Sequence, residues 1–517
     1  MHKEAPLDPG VTVVAAVEAP AAASRVRSTY GRILKGSGIY TIATLVHRMS
    51  SVVMLPVFTH FLTADQYGTM EILDLSLNVF GMLFGANFSV ALFYHYFEAT
   101  SKRERDTVVS TTLLGSASLG ALAAAIGFAL ARQASVLLFQ HPNNAGYLRI
   151  MLLNFAFTLL LEAVLQWLRA TDQARIFVVV AVCRTVIAMT LNIVFLAALG
   201  KGLAGVLYSA LITSSLLALV SSAYCLTQIK PALDFLLFRR LIRYSIPVTL
   251  TGVALFVIHY VDRFILQRFV TMAEIGVYAL AYKIGMLVSN FHLSFQSYWT
   301  SQMFTLLQGK TGEQLFSSVF TYMLLFLAAI GLLLTVFSGP GLIVLSRPEF
   351  WGARALVPYI VVAYVVRAIG DYFRVIFYTE NRPGLDARLN WIGAAVCMAA
   401  YLVLIPLFKV WGAIAATFLA FGFIAVLGFS WIRQLRRLDL EWGRVTKIGV
   451  ASSLVILASH LVPAQPLSLS LPLNALAFTL FPLALWSLRF ANDSERQTLS
   501  AGWGRAVQTL RAVYPQV

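Results

Sequence analysis

Polar and charged positions in this chain come in short clusters, separated by long apolar runs. A helix crosses a hydrocarbon core of about 30 Å with about 20 mainly apolar residues. Fourteen runs meet that need, over 37–62, 70–97, 107–131, 147–168, 175–199, 203–226, 244–267, 275–304, 314–338, 353–379, 388–408, 411–432, 446–462 and 471–489. The last two are crowded by Pro463, Pro466, Pro472 and Pro482. The pattern predicts an all-α polytopic membrane protein of about 14 transmembrane helices.

Composition agrees. Of 517 residues, 59% are hydrophobic and only 12% are charged, against roughly 25% charged in a soluble domain. Mean hydropathy is +0.77. A soluble catalytic domain has nowhere to sit. Cys183, Cys225 and Cys397 all fall inside apolar runs, without a CxxC or a His/Cys cluster, so they read as small buried residues rather than as disulfide or metal ligands.

The net charge of +16 would suggest nucleic acid in a soluble protein. Here it follows the loops. With the N-terminus in the cytoplasm, 26 Lys and Arg fall on cytoplasmic segments and 7 on outside ones. That bias predicts both termini inside and an even number of spans; no nucleic-acid partner is expected. Residues 1–35, rich in Ala, Pro and Val, read as a disordered cytoplasmic tail, and 491–517 as a second one. The outside connections are short, the longest near 339–352, which counts against a membrane polymerase or ligase. Gly309-Lys310-Thr311 ends like a phosphate-binding loop, but Phe304 stands where the first glycine belongs. The chain is expected to be no enzyme and to need no cofactor or metal.

The halves of the chain echo each other. TADQYGTM (63–70) parallels MAEIGVYA (272–279), with Gly68 on Gly276. RATDQA (169–174) parallels FYTENR (377–382), with Asp172 on Glu380, and ALGKGLAG (198–205) parallels LFKVWGAIAA (407–416), with Lys201 on Lys409. Each pair is 208 residues apart. The reading is a pair of pseudo-symmetric six-helix lobes, 36–230 and 231–440, followed by two helices in 441–490. Parallel repeats of this kind place a substrate path between lobes and work by alternating access.

Three stretches carry a family resemblance. VHRMSSVVMLPVFTHFLTADQYGTMEILD (46–74), YVDRFILQRFVTMAEIGVYALAYKIG (260–285) and FKVWGAIAAT (408–417) resemble the Wzx-type O-antigen and exopolysaccharide flippases of the MOP (MATE-like) superfamily. Their order and spacing carry the match over most of 37–434. The resemblance implies a multi-pass protein of the bacterial inner membrane that moves undecaprenyl-diphosphate-linked saccharide from the cytoplasmic to the periplasmic leaflet. It also implies the lipid bilayer and the polysaccharide polymerase and glycosyltransferases of the same pathway as partners. Drug exporters of the superfamily often carry an acid in the first helix; here His47 and Arg48 stand there instead. A MATE-like drug or cation antiporter and a membrane glycan polymerase or ligase remain the alternatives.

A charge at mid-membrane costs about 2.5–3.5 kcal/mol on insertion scales and must face protein or water. Six cations and six acids are embedded: Arg48, Arg184, Arg263, Lys283, Arg367 and Arg374, and Glu71, Asp74, Glu98, Glu162, Asp262 and Asp371. Equal numbers fit interhelical ion pairs as readily as a binding site. The 208-residue offset places Asp74 on Tyr282, beside Lys283, so Glu71 and Asp74 are expected to face Lys283 and Arg263. Arg48, Arg263 and Lys283, then Arg184 and Arg367, are the candidate diphosphate ligands, because forked or point cations suit phosphate. Asn290 and Gln296 are the candidate sugar ligands, within the aromatic stretch FHLSFQSYW (291–299). Glu71, Asp74, Asn78, His47, His259, Asp262 and Asp371 are the polar or ion-coupling candidates. Asp262 and Arg263 diverge by about 100° around a helix and need not pair with each other. Arg374 reads as a snorkelling side chain, and His259 as an imidazole bonded to a carbonyl.

Overall fold

A computed structural model describes residues 50, 53–83, 88–306, 312–436, 438–463, 466–492 and 495. His47, Arg48, the tail 1–35 and most of 491–517 lie outside the described residues. Among the described residues there are helices and no strand. Residues 53–61 are helical. Thirteen named α-helices follow: α1 (Ala64–Leu83), α2 (Phe88–Glu98), α3 (Lys102–Phe139), α4 (Ala145–Ala170), α5 (Ala174–Ile193), α6 (Gly202–Gln228), α7 (Phe235–Leu266), α8 (Met272–Leu306), α9 (Gly312–Leu345), α10 (Ala353–Thr379), α11 (Pro383–Leu435), α12 (Trp442–His460) and α13 (Leu467–Ser487).

The described part of each of the fourteen apolar runs is mainly helical. Among the described residues, by length and apolar composition alone, eight helices can cross a membrane, or nine with the bent pair Phe235–Pro247 and Gly252–Leu266 taken as one span. α11 holds two of the runs, folded at Lys409 (φ 52°, ψ −126°). Helices outside the set include α1, with Glu71 and Asp74, and α10, with Arg367, Asp371 and Arg374.

The chain divides into two compact units. One holds the chain up to Val57 with Val79–Leu137 and His141–Pro247; the other holds Phe58–Asn78, Leu138–Gln140 and everything from Val248 on. In the first, α4 packs along α6 and α2 packs on α4. Trp167, Leu161, Leu168, Ala218 and Cys225 fill its core. The turn before α7 is tied to α3, where Lys230 N–H donates to Asp106 Oδ2 (3.2 Å) and Asp234 N–H to Thr111 Oγ1 (3.2 Å).

In the second unit, α10 packs against α8, α9 and α11. Aromatic rings fill that junction: Trp299 and Tyr372 stack at 5.8 Å, and Phe316 sits 4.7 Å from Tyr372. This is where FHLSFQSYW lands. Phe295 and Trp299 pack, while Phe291 and Tyr298 are exposed.

The internal echo has a physical counterpart at two helix starts. Gln66 N–H donates to Thr63 Oγ1 (3.2 Å) while Thr63 N–H donates to Gln66 Oε1 (3.4 Å). Glu274 N–H donates to Thr271 Oγ1 (3.2 Å) while Thr271 N–H donates to Glu274 Oε2 (2.9 Å). Both are capping boxes, each worth about 1 kcal/mol for its helix, and both members are shifted by 208 residues. The second match needs a correction. The turns after α4 and α10 carry the same bonds, with Asp172 N–H donating to Arg169 O and Asn381 N–H to Tyr378 O. Asp172 (φ 56°) and Asn381 (φ 53°) hold the left-handed position. The structural partner of Asp172 is therefore Asn381, not Glu380, because the turn aligns on backbone conformation.

Beyond each box, α1 and α8 meet backbone to backbone. A Cβ on Gly68 would lie 2.0 Å from Met272 O, and one on Gly276 would lie 2.1 Å from Ala64 O. No side chain fits between them. Gly68→Ala or Gly276→Ala forces the helices apart and is expected to cost about 3 kcal/mol. Gly384→Ala, with nothing within 4 Å, serves as the control. Thermal unfolding in detergent measures the difference.

Candidate functional site

The glycine crossing sets which side chains meet next. One turn past Gly68 on α1 comes Glu71; two turns past Gly276 on α8 comes Lys283. Arg263 arrives from the end of α7. Glu71 takes both cations: Oε1 lies 3.4 Å from Arg263 Nε and Oε2 lies 3.2 Å from Lys283 Nζ. The pairing of Glu71 with Arg263 and Lys283 is the one the repeat predicts. Asp74 is exposed and makes no ion pair among the described residues; its carbonyl accepts from Asn78 Nδ2 at 2.9 Å.

Arg263 is enclosed. It is 1% exposed, and Nη1 donates to Asp262 Oδ1 (2.9 Å) and to His259 O (2.9 Å). Asp262 and Arg263, which their divergence around the helix left free to part, pair with each other: the long arginine arm folds back along its own helix and closes the angular gap. Tyr278 Oη donates to the other Asp262 oxygen at 2.5 Å. The guanidinium lies 4.0 Å from the centre of the Tyr282 ring, with Tyr278 at 5.4 Å and Tyr260 at 5.7 Å. Cation–π contacts of this kind contribute about 1–2 kcal/mol when desolvated. Lys283 differs. Its side chain is 38% exposed, and Nζ lies 4.8 Å from the Tyr67 ring.

A second charged group lies along α10. Arg367 Nε donates to Asp371 Oδ2 (3.0 Å), Arg374 Nη1 to Asp371 Oδ1 (2.9 Å), and Arg374 Nε to Asp386 Oδ1 (2.5 Å). The three residues share a face, as their spacing predicts. Arg374 does not snorkel: its side chain is 11% exposed and clamps two carboxylates. Gln296 Nε2 donates to Asp371 O at 3.1 Å, which commits its amide to the α8–α10 packing. The His259 ring stacks on Tyr364, and its Nδ1 is buried without a partner. In the other unit Arg184 pairs with Glu162 at 2.8 Å, both about one-third exposed. Asn290 is half-buried on α8.

Several partners are not evident from the sequence. Tyr278 and Tyr282 read as packing, although their four-residue spacing puts them on one helix face. Asp386 reads as a loop acid before the eleventh run. Glu349, in the connection between α9 and α10, accepts from Ala64 N–H (2.9 Å) and holds the start of α1. Among the described residues no group of three or more His, Cys, Asp and Glu side chains could hold a metal.

Comparisons with known proteins bear on what such a site serves. Residues 33–298, more than half of the chain, match the family model described as "Polysaccharide biosynthesis protein". No curated protein sequence matches. Among solved structures, the lipid II flippase MurJ in an inward closed conformation aligns with a TM-score of 0.69 at 13% identity, covering 87% of this chain and 98% of that one. An inward-facing multidrug resistance MATE family transporter of the MOP superfamily aligns with a TM-score of 0.61 at 14% identity, covering 78% of this chain and 96% of that one. These likenesses establish a shared fold, that of all-helical multi-pass membrane proteins.

Because Glu71 neutralises an enclosed arginine, Glu71→Gln is expected to lower stability by about 3 kcal/mol. Double-mutant cycles on unfolding should give a larger coupling for Glu71–Arg263 than for Glu71–Lys283, since Lys283 is partly exposed.

Proposed function

The chain belongs to the polysaccharide biosynthesis protein family, and from that premise we propose that it carries a polyprenyl-diphosphate-linked saccharide from the cytoplasmic to the periplasmic leaflet of a bacterial inner membrane. One observation supports the reading most directly. Lys283 has a side chain 38% exposed, at the edge of a charge cluster whose other members Glu71, Asp262 and Arg263 are buried. A diphosphate needs cationic partners that shed water on contact, and an ammonium meets it as a point charge.

In this reading Lys283 is the headgroup ligand. An arriving diphosphate displaces Glu71 from Lys283, and Arg263 retains the released carboxylate, so no buried charge is left unpaired. Arg263 thereby acts as a positioning residue in this conformation. Arg184 and Arg367 are held by Glu162 and Asp371 and rank behind Lys283. Asn290 follows Lys283 by seven residues, two turns along the same face of α8, and suits a sugar hydroxyl. Alternating access would part the Gly68–Gly276 crossing in one half of the cycle. The cation bias of the loops supports both termini in the cytoplasm, where the lipid-linked unit is assembled. The fold shared with a flippase and a transporter favours transport over catalysis. The lipid II flippase with the same fold is one precedent for such a cargo.

A cation antiporter is the second reading. The observation that favours it is the exposed Asp74, which has no ion-pair partner among the described residues.

Deleting the gene is expected to stop display of a surface glycan while lipid-linked units accumulate inside. Lys283→Ala, expressed at the normal level in the deleted strain, should cut export by about tenfold, the loss of one charge-assisted hydrogen bond; Lys283→Arg should restore most of it. Unchanged surface glycan on deletion contradicts the reading. Loss of organic-cation efflux instead of glycan export supports the antiporter.

A further inference from the structure

α7 opens on a segment too short to cross a membrane. Phe235–Pro247, the part of α7 before its bend, reads FLLFRRLIRYSIP and holds three arginines and no acid. At 1.5 Å per residue it is about 20 Å long, short of the roughly 30 Å of a hydrocarbon core. It lies in a connection that the loop-charge bias assigns to the cytoplasm.

Helical periodicity divides the segment into two faces. At 100° per residue, Leu237, Phe238, Leu241, Ile242 and Ser245 share one side. None of the five is exposed, and the four apolar ones pack with Ala91 of α2 and Leu119 of α3. Every other residue of the segment is exposed. Phe235 is 82% exposed and Leu236 is 58% exposed. Arg239, Arg240 and Arg243 lie within about 100° of one another on that outer face. None of the three makes an ion pair or a side-chain hydrogen bond among the described residues. By contrast, Arg436 meets Glu313 and Glu380, and Arg444 meets Glu441 and Glu495. The face is also held in place. Asp234 Oδ1 accepts from Leu236 N–H (2.8 Å) and Leu237 N–H (3.1 Å) at the helix start, and the Tyr244 ring stacks with Tyr94 of α2 at 4.9 Å.

This mixture selects its surroundings. A solvated acidic partner would meet the arginines and leave Phe235 and Leu236 in water. Hydrocarbon alone would take those side chains and strand three charges. The boundary between lipid headgroups and acyl chains offers both together, and a phosphate diester matches the forked donors of arginine. We propose that this face lies in the membrane interface and binds the headgroups of acidic phospholipids, with the arginines on the phosphates and the apolar side chains among the upper acyl chains. A cation beside an acidic lipid surface contributes about fivefold in binding. The inference rests on the orientation of the chain and not on what it carries.

The test titrates the full chain in non-ionic detergent with phosphatidylglycerol or phosphatidylcholine bearing a fluorescent acyl tail, and follows anisotropy. Wild-type protein should prefer phosphatidylglycerol by on the order of a hundredfold, the product of three such contributions. Changing Arg239, Arg240 and Arg243 together to Gln should erase the preference and leave phosphatidylcholine binding unchanged. Changing all three to Lys should keep most of it. The single changes Arg239→Gln, Arg240→Gln and Arg243→Gln, each expected to lose about fivefold, serve if the triple variant does not fold. Lys102→Gln with Arg103→Gln, two exposed cations at the start of α3, should leave the preference intact. No preference in wild type, or an equal loss in the Lys102 and Arg103 control, overturns the inference. Complete displacement of phosphatidylglycerol by an equimolar polyprenyl diphosphate assigns the face to the cargo and overturns it as well.

Discussion

Everything in the candidate site depends on two helices touching without side chains between them. At Gly68 and Gly276 the α1 and α8 backbones approach so closely that a single methyl group on either would collide with a carbonyl. Capping boxes fix where each helix starts, and the glycines lie the same five residues beyond Thr63 and Thr271. Once the starts and the crossing are set, helical periodicity delivers Glu71 and Lys283 to the same place. Moving the crossing by one residue would rotate one of them away by about 100°.

The charge arithmetic follows from that placement. Glu71 and Asp262 balance Arg263 and Lys283, so the buried part of the cluster carries no excess charge to desolvate. The balance is uneven in exposure. Arg263 is wrapped by two carboxylates, a carbonyl and three tyrosine rings, whereas Lys283 meets the other oxygen of Glu71 and keeps a side chain that is 38% exposed. A closed cation and an open one in contact with the same carboxylate divide the labour: one holds the geometry and the other meets a ligand. The Arg367–Asp371–Arg374–Asp386 chain has no such open member and reads as packing of α10 against α11.

Much of this was legible in the sequence, for identifiable reasons. The apolar runs marked the helices because a membrane demands continuous hydrophobicity. The offset of 208 paired Gly68 with Gly276 and brought Glu71 toward Lys283, because a duplicated fold keeps its crossings. The offset failed at Glu380, where the shared threonines of TDQ and TEN suggested an alignment that ignores the left-handed residue. Asp and Asn both tolerate that conformation, so the chemistry on either side looked interchangeable. Tyr278, Tyr282 and Asp386 were missed for a different cause. An aromatic residue in an apolar run and an acid before a helix each have an ordinary explanation, and only coordinates show which cation they touch.

The most direct test reconstitutes the purified chain into sealed vesicles loaded with a polyprenyl-diphosphate-linked saccharide on one leaflet. A membrane-impermeant lectin or glycosidase then reports arrival of the sugar on the other side. The account predicts movement that depends on the protein and slows by about tenfold in Lys283→Ala. Movement no faster than in protein-free vesicles, or movement indifferent to Lys283, would contradict it.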